Sequence, residues 1–156
     1  MSEPDDPSGS TPRVSLVDEQ DRPTDVAALE RLAERALDAA RVPPSHSLSI
    51  ALVERGRIAD LKARYYGEPG ETDVLAFPMD PLDAPAPAIL GDVVICVDVA
   101  AGQAPEFGRD TQGEVELLLV HGILHLAGHD HGDAATERAM TRETARILKL
   151  AREEAS

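Results

Sequence analysis

Apolar and polar positions alternate along this chain with two periods, and the changes of period divide it into elements. Arg13-Val14-Ser15-Leu16-Val17 alternates residue by residue, which predicts a short strand. The spacing then becomes helical. Val26, Leu29, Leu32, Ala33, Ala36 and Leu37 fall on one face, so a helix is expected from a Thr24 cap to about Ala40. Pro43-Pro44 ends it, because the residue before a proline avoids the helical region. From Ser47 to Val53 the period is two again, with Leu48, Ile50 and Leu52 on one face of a strand. Ile58 to Tyr65 reads as helical and Gly67 to Gly70 as a turn. Val74-Leu75-Ala76-Phe77 is a third strand stopped by Pro78, and Asp80 to Ala88 a Pro- and Ala-rich loop. Ile89 to Val97 is an apolar run interrupted only by Gly91-Asp92, the signature of a central strand covered on both faces.

The rest is helical in pattern. A helix is expected over Asp98 to Phe107, then one capped by Asp110 or Thr111 that runs to about Ala127. Asp133 opens a last helix carrying Ala139, Met140, Ile147 and Leu148. Strands mixed with helices, followed by helices alone and without an internal repeat, predict an α+β layered architecture.

Composition changes this picture at the N-terminus. Met1 to Pro12 is rich in Ser, Pro, Asp and Gly and has little to bury, so it is expected to be a disordered tail before a single domain over 13–156. With aromatics at 3% and no Trp, the core must be aliphatic. The net charge of −14 argues against indiscriminate adhesion to nucleic acid or anionic membranes. The single cysteine, Cys96, cannot form an internal disulfide and sits in an apolar run, as a buried free thiol would. A cytoplasmic protein is expected, with neither a signal peptide nor a membrane-spanning segment.

The candidate chemistry lies between 121 and 131, where four of the five histidines fall. His121 and His125 are four apart on a predicted helix and project from one face, a turn apart. Gly128 can take the left-handed conformation that ends a helix, and the reversal can return His131 as a third ligand. Three histidines leave one position of a tetrahedral ion for water, the catalytic rather than the structural arrangement, and all-nitrogen ligation favours zinc. His129 is read as exposed or supporting. The spacing is also that of the metzincin proteases, but they carry Glu directly after the first histidine as proton acceptor, and Gly122 stands there in this chain. A Gly122→Glu replacement is expected to keep zinc without gaining peptidase activity.

The stretch His121-Gly122-Ile123-Leu124-His125-Leu126-Ala127-Gly128-His129-Asp130-His131 resembles the H-G-x-L-H-L-x-G-x-D-H signature of the YbeY family, with every fixed position present. Thr72-Asp73-Val74-Leu75-Ala76-Phe77-Pro78 and Leu90-Gly91-Asp92-Val93-Val94-Ile95 are similar to two further family segments. The resemblance runs from about Val14 to Leu150. It implies helices packed on a small mixed sheet of about four strands, with the metal-binding helix at a cleft. It implies one Zn²⁺ held by His121, His125 and His131, and cleavage of single-stranded RNA in 16S rRNA 3′-end maturation and ribosome quality control. The partners implied are rRNA and the small ribosomal subunit with its associated proteins. One position departs from the family: many members carry Arg where this chain has Tyr66, and Arg64 is the candidate stand-in.

Asp92 and Asp130 are candidates to take a proton or to orient a metal-bound histidine; a loop turn and a helix-terminal solvated acid are the competing readings. Arg55, Arg57, Lys62 and Arg64 are expected to form either a local positive stripe for phosphate or a solvated helix face. Two other function classes remain: a non-catalytic ribosome-assembly factor with structural zinc, and a metalloprotease, which Gly122 disfavours.

Overall fold

The computed structural model describes residues 12–128 and 134–155. The tail through Thr11, His129, Asp130, His131 and the expected cap Asp133 lie outside the described residues. The elements are β1 (Val14–Asp18), α1 (Val26–Ala39), β2 (His46–Val53), α2 (Arg55–Tyr66), β3 (Val74–Pro78), β4 (Ala88–Cys96), α3 (Val97–Gln103), a 3-10 turn (Ala104–Phe107), α4 (Thr111–Leu126) and α5 (Ala134–Ala155). The sheet order is β1-β2-β4-β3, with β1, β2 and β4 parallel and β3 antiparallel on β4. This is the expected α+β arrangement on a mixed four-stranded sheet, with the apolar run of β4 inside it.

The two sheet faces are unequal. On one, Leu48, Ile50 and Leu52 of β2 join Leu90, Val93 and Ile95 of β4 beneath α1, α4 and α5. On the other, Val53, Leu75, Val94 and Cys96 pack with Ile58 of α2, flanked by the partly buried Leu61 and Val99. The crossover between the parallel strands β1 and β2 puts α1 on the first face, and α4 and α5, which follow the last strand, cover the rest of it. α4 lies at the centre of that layer and buries Val115, Leu118, Leu119, Val120, Ile123, Leu124 and Leu126, so it is apolar nearly all round.

Several boundaries differ from the sequence expectation for physical reasons. The cap of α1 is Asp25, whose carboxylate accepts from the Ala28 amide at 3.0 Å, whereas the Thr24 hydroxyl donates to the Arg22 carbonyl. A carboxylate one residue before the first helical turn reaches the third amide, which is what a cap requires. Of the two candidates for α4, Asp110 is the cap, accepting from Gly113 at 2.7 Å. The helix expected over Asp98 to Phe107 breaks into α3 and a 3-10 turn at Ala104-Pro105, where proline has no N–H to continue the ladder. Pro78 is the last paired residue of β3, tolerated because β3 is an edge strand.

Two glycines set how closely the layers approach. At Gly91 (φ 153°) a Cβ would stand 2.3 Å from the Phe77 carbonyl oxygen, so only glycine fits. At Gly122 a Cβ would stand 2.9 Å from Cγ1 of Val93, a fully buried and rotationally stiff side chain. The structure therefore revises the expectation for Gly122→Glu: a side chain at 122 must push α4 off β4, and a carboxylate there would be buried without a partner. Gly122→Ala should cost roughly 1–3 kcal/mol by overpacking. Gly122→Glu should cost more and should displace the helix that carries His121 and His125. Urea denaturation checks this; a Glu variant with the parent's midpoint would show that the contact is slack.

Candidate metal centre

Gly122 faces β4, and a step of about 100° per residue puts His121 and His125 together on one side of that direction. There they line a cavity of about 180 Å³ with Tyr66, Val74, Leu75, Ala76 and Gly122. Both histidines are half-buried. Val74 and Ala76 belong to the edge strand β3 and pack against the main core, so the cavity sits where α4 meets the rim of the sheet. The expected pairing of the two imidazoles on one helix face is present.

At its C-terminus α4 stops as the sequence implies. Gly128 has φ 102° and its amide donates to the His125 carbonyl at 3.1 Å, a left-handed exit from the helix. His131, the third expected ligand, lies outside the described residues, as do Asp130 and His129. Among the described residues no group of three or more His, Cys, Asp or Glu side chains converges on a common point. The fifth histidine, His46, is a core residue whose Nε2–H donates to the Pro81 carbonyl at 2.8 Å.

Tyr66, read in the sequence only as a departure from a family pattern, is a wall of this cavity. It is the last residue of α2, its hydroxyl donates to the Ala76 carbonyl at 2.7 Å, and its ring meets Phe77 edge-on at 5.7 Å. Partial burial raises its pKa above the usual phenol value, so it remains a neutral donor. Arg64 is elsewhere: two residues earlier on a helix is about 200° round the axis. It is exposed and its Nη2 is 3.5 Å from Asp60. Among the described residues, two other cations of the expected stripe, though not Lys62, are also engaged. Arg55 is held by Asp98 and Glu71, which raise its pKa, and Arg57 faces Asp60 at 3.6 Å.

The structure does not bring Asp92 to the histidines. It is paired in register with Phe77 and Ser49, and its side chain is on the α2 side of the sheet. There it lines a groove of about 460 Å³ with Ser15, Ser49, Arg57, Tyr65 and Phe77. A cluster the sequence reading did not single out stands at the other end of α4. Glu114 is buried, accepts from Arg109 at 2.9 Å and from Gln103 at 2.8 Å, and the same Gln103 amide donates to Asp73 at 2.8 Å. An acid in an otherwise apolar helix and the Asp of Thr72-Asp73-Val74 were the available signals.

Fold and cavity together define an α+β protein with a histidine pair on its central helix. The sequence profile of the family Endoribonuclease YbeY matches residues 16–152, and the chain belongs to that family. It is 48% identical over 133 residues to the endoribonuclease YbeY of Thermobifida fusca, covering 81% of this chain and 86% of the relative. It is 42% identical over 141 residues to that of Cutibacterium acnes, covering 86% and 91%. In three dimensions it is similar to the solution structure of a Thermotoga maritima protein, with a TM-score of 0.64, 24% identity and 90% of both chains covered.

Desolvation in the groove raises the pKa of Asp92. The folded state thus holds this proton more tightly than the unfolded chain does. Stability then falls as pH rises from the ordinary carboxylate value through the raised one, and below that window the penalty is absent. Asp92→Asn should therefore raise the denaturation midpoint at neutral pH, with a gain that vanishes in acid. Urea titrations of both proteins at several pH values test this; a gain that persists at low pH would assign the effect to something other than the charge.

Proposed function

We propose that this protein is a zinc-dependent endoribonuclease, specific for single-stranded RNA, that acts in 16S rRNA 3′-end maturation and ribosome quality control in the cytoplasm. The rRNA of the small ribosomal subunit is its substrate, and the subunit's associated proteins present it. The observation that carries this reading is the pair His121 and His125 lining one cavity, in a chain that belongs to the endoribonuclease YbeY family. These two imidazoles, with His131, are the residues that would hold zinc, and the donor chemistry suits it. When bound, zinc supplies positive charge and brings the pKa of a water towards ~7.

The chain's own residues do the rest. His121 and His125 ligate only as neutral imidazoles, so metal binding weakens in acid. Val74, Leu75 and Ala76 give the cavity one apolar wall, which limits water around the reacting phosphate. The neutral Tyr66 hydroxyl fixes the end of α2 to β3 beside the histidines. Direct proton transfer needs hydrogen-bond reach, and the sheet stands between Asp92 and the cavity, so Asp130 is the carboxylate left to take or orient a proton. Gly122 packs on Val93 where a metzincin-type base would stand, which speaks against peptide hydrolysis. Among the described residues, no helix is long and apolar enough to cross a membrane.

Metal analysis and cleavage of end-labelled single-stranded and duplex RNA test the proposal. The full chain should carry close to one zinc and cut only the single strand. His125→Ala should lose most of the metal and at least a hundredfold in rate. Cleavage that survives in a zinc-free His125→Ala protein would sink the mechanism, and zinc retention without any cleavage would favour the non-catalytic assembly factor. In the same assay Arg64→Ala should change the rate by less than about twofold, because an exposed ion pair with Asp60 contributes little. A loss of tenfold or more would return Arg64 to the site.

A further inference from the structure

The chain is strongly acidic, yet its 15 Lys and Arg residues are not evenly used. Arg13, Arg22, Arg55, Arg57, Arg64, Arg109 and Arg146 are each within ion-pair distance of a carboxylate. Of the other eight, Arg41 and Lys62 stand elsewhere, and six lie on α1 and α5, Arg35 and Arg152 among them with further contacts of their own. On α5, Arg138, Arg142, Lys149 and Arg152 are spaced by four, seven and three residues, so they fall within an arc of roughly 80°. That arc is exposed, and Met140, Thr144, Ile147 and Leu148 bury the opposite side. The row spans about 21 Å at 1.5 Å per residue.

The row does not stop at the helix. Arg152 shares a cavity of about 210 Å³ with Arg31 and Arg35 of α1, where α1 and α5 pack, and among the described residues Glu116 is the one acid in its wall. At the other end Arg138 and Arg142 line an open depression with Glu137 and Thr141. The acids of α1 nearest its arginines are engaged elsewhere: Asp38 and Glu34 both lie against Arg13. Arg31, Arg138, Arg142 and Lys149 have no ion pair among the described residues.

We infer that Arg31, Arg35, Arg138, Arg142, Lys149 and Arg152 form a docking stripe for the phosphate backbone of single-stranded RNA, separate from the cavity where the strand is cut. A linear array of cations on two helices matches a linear polyanion better than a compact ligand, and phosphate contacts read no sequence. The stripe lies on α5, which packs against α4, so a strand lying along α5 stays on the helix layer that carries His121 and His125. It also answers the charge objection: a protein of net charge −14 repels RNA from its other faces and receives it on this one. The inference rests on the RNA reading of the cavity but concerns different residues.

The test uses the full chain with an unstructured RNA of about 20 nucleotides, and polyglutamate as a second polyanion. The variants are the pairs Arg138→Gln with Arg142→Gln and Arg31→Gln with Arg35→Gln. All four side chains are exposed, so fold and zinc content should stay at the parent's level. Each pair should weaken RNA binding roughly tenfold at low salt. Each should also flatten the plot of log affinity against log salt by about 1.4, at about 0.7 per lost phosphate. KM should rise with kcat unchanged, because binding common to ground and transition states is removed. Parent-like affinity and salt slope in both pairs, while the parent protein cuts RNA, would overturn the stripe and leave the cavity reading intact. A parent protein that binds polyglutamate but not RNA would overturn it in favour of an acidic protein partner. A parent protein that neither binds nor cuts RNA would overturn both readings.

Discussion

The seating of α4 on β4 through Gly122 and Val93 is the contact on which the rest of the structure depends. With no side chain on Gly122, the helix backbone rests directly on the Val93 side chain, and α4 sinks to the middle of the layer. Its depth then forces every other element into place. α1 and α5 must cover an apolar helix that is nearly free of polar faces, and a polar opening is left at the rim, beside β3. His121 and His125 emerge there because they neighbour the glycine in the helical sequence. The same geometry that makes the core tight thus selects which two imidazoles share a cavity.

The opposite end of α4 is secured by polar contacts rather than by packing. Glu114 is buried with Arg109 and Gln103 around it, and Gln103 reaches on to Asp73 at the start of β3. A buried carboxylate satisfied from two sides is costly to disturb, since removal of one partner leaves an uncompensated charge. This cluster ties the helix carrying the histidines to the strand that walls their cavity. Register between α4 and β3 is therefore specified at two points, one apolar and one polar.

Much of this was legible in the sequence, for reasons that also mark where it stopped. The alternation of β2 and the helical spacing of α1 are strong because one side of each faces water. Histidines four apart on such a helix, followed by glycine, need little else to be read as a pair with a return. The run around Asp92 is different. An unbroken apolar strand carries no phase, so nothing in Ile89 to Val97 said which residues face α4, and Asp92 proved to face away. Tyr66 was hidden for a related reason: α2 is mostly exposed, and only its end meets the cavity. The basic stripe expected on α2 was written in charges alone, which do not reveal that Asp60, Asp98 and Glu71 stand beside them.

The position of α5 in the chain bears on how the molecule is made. Met140, Ile147 and Leu148 close the core around α4, and they follow it in the chain. During vectorial synthesis the three parallel strands and α4 must wait, with an apolar helix uncovered, until α5 has emerged. Domains generally fold as units, and exposed apolar surface is what chaperones recognise. The nascent chain is therefore a client for such binding until α5 emerges, and premature termination before residue 148 would leave a product that cannot bury its central helix.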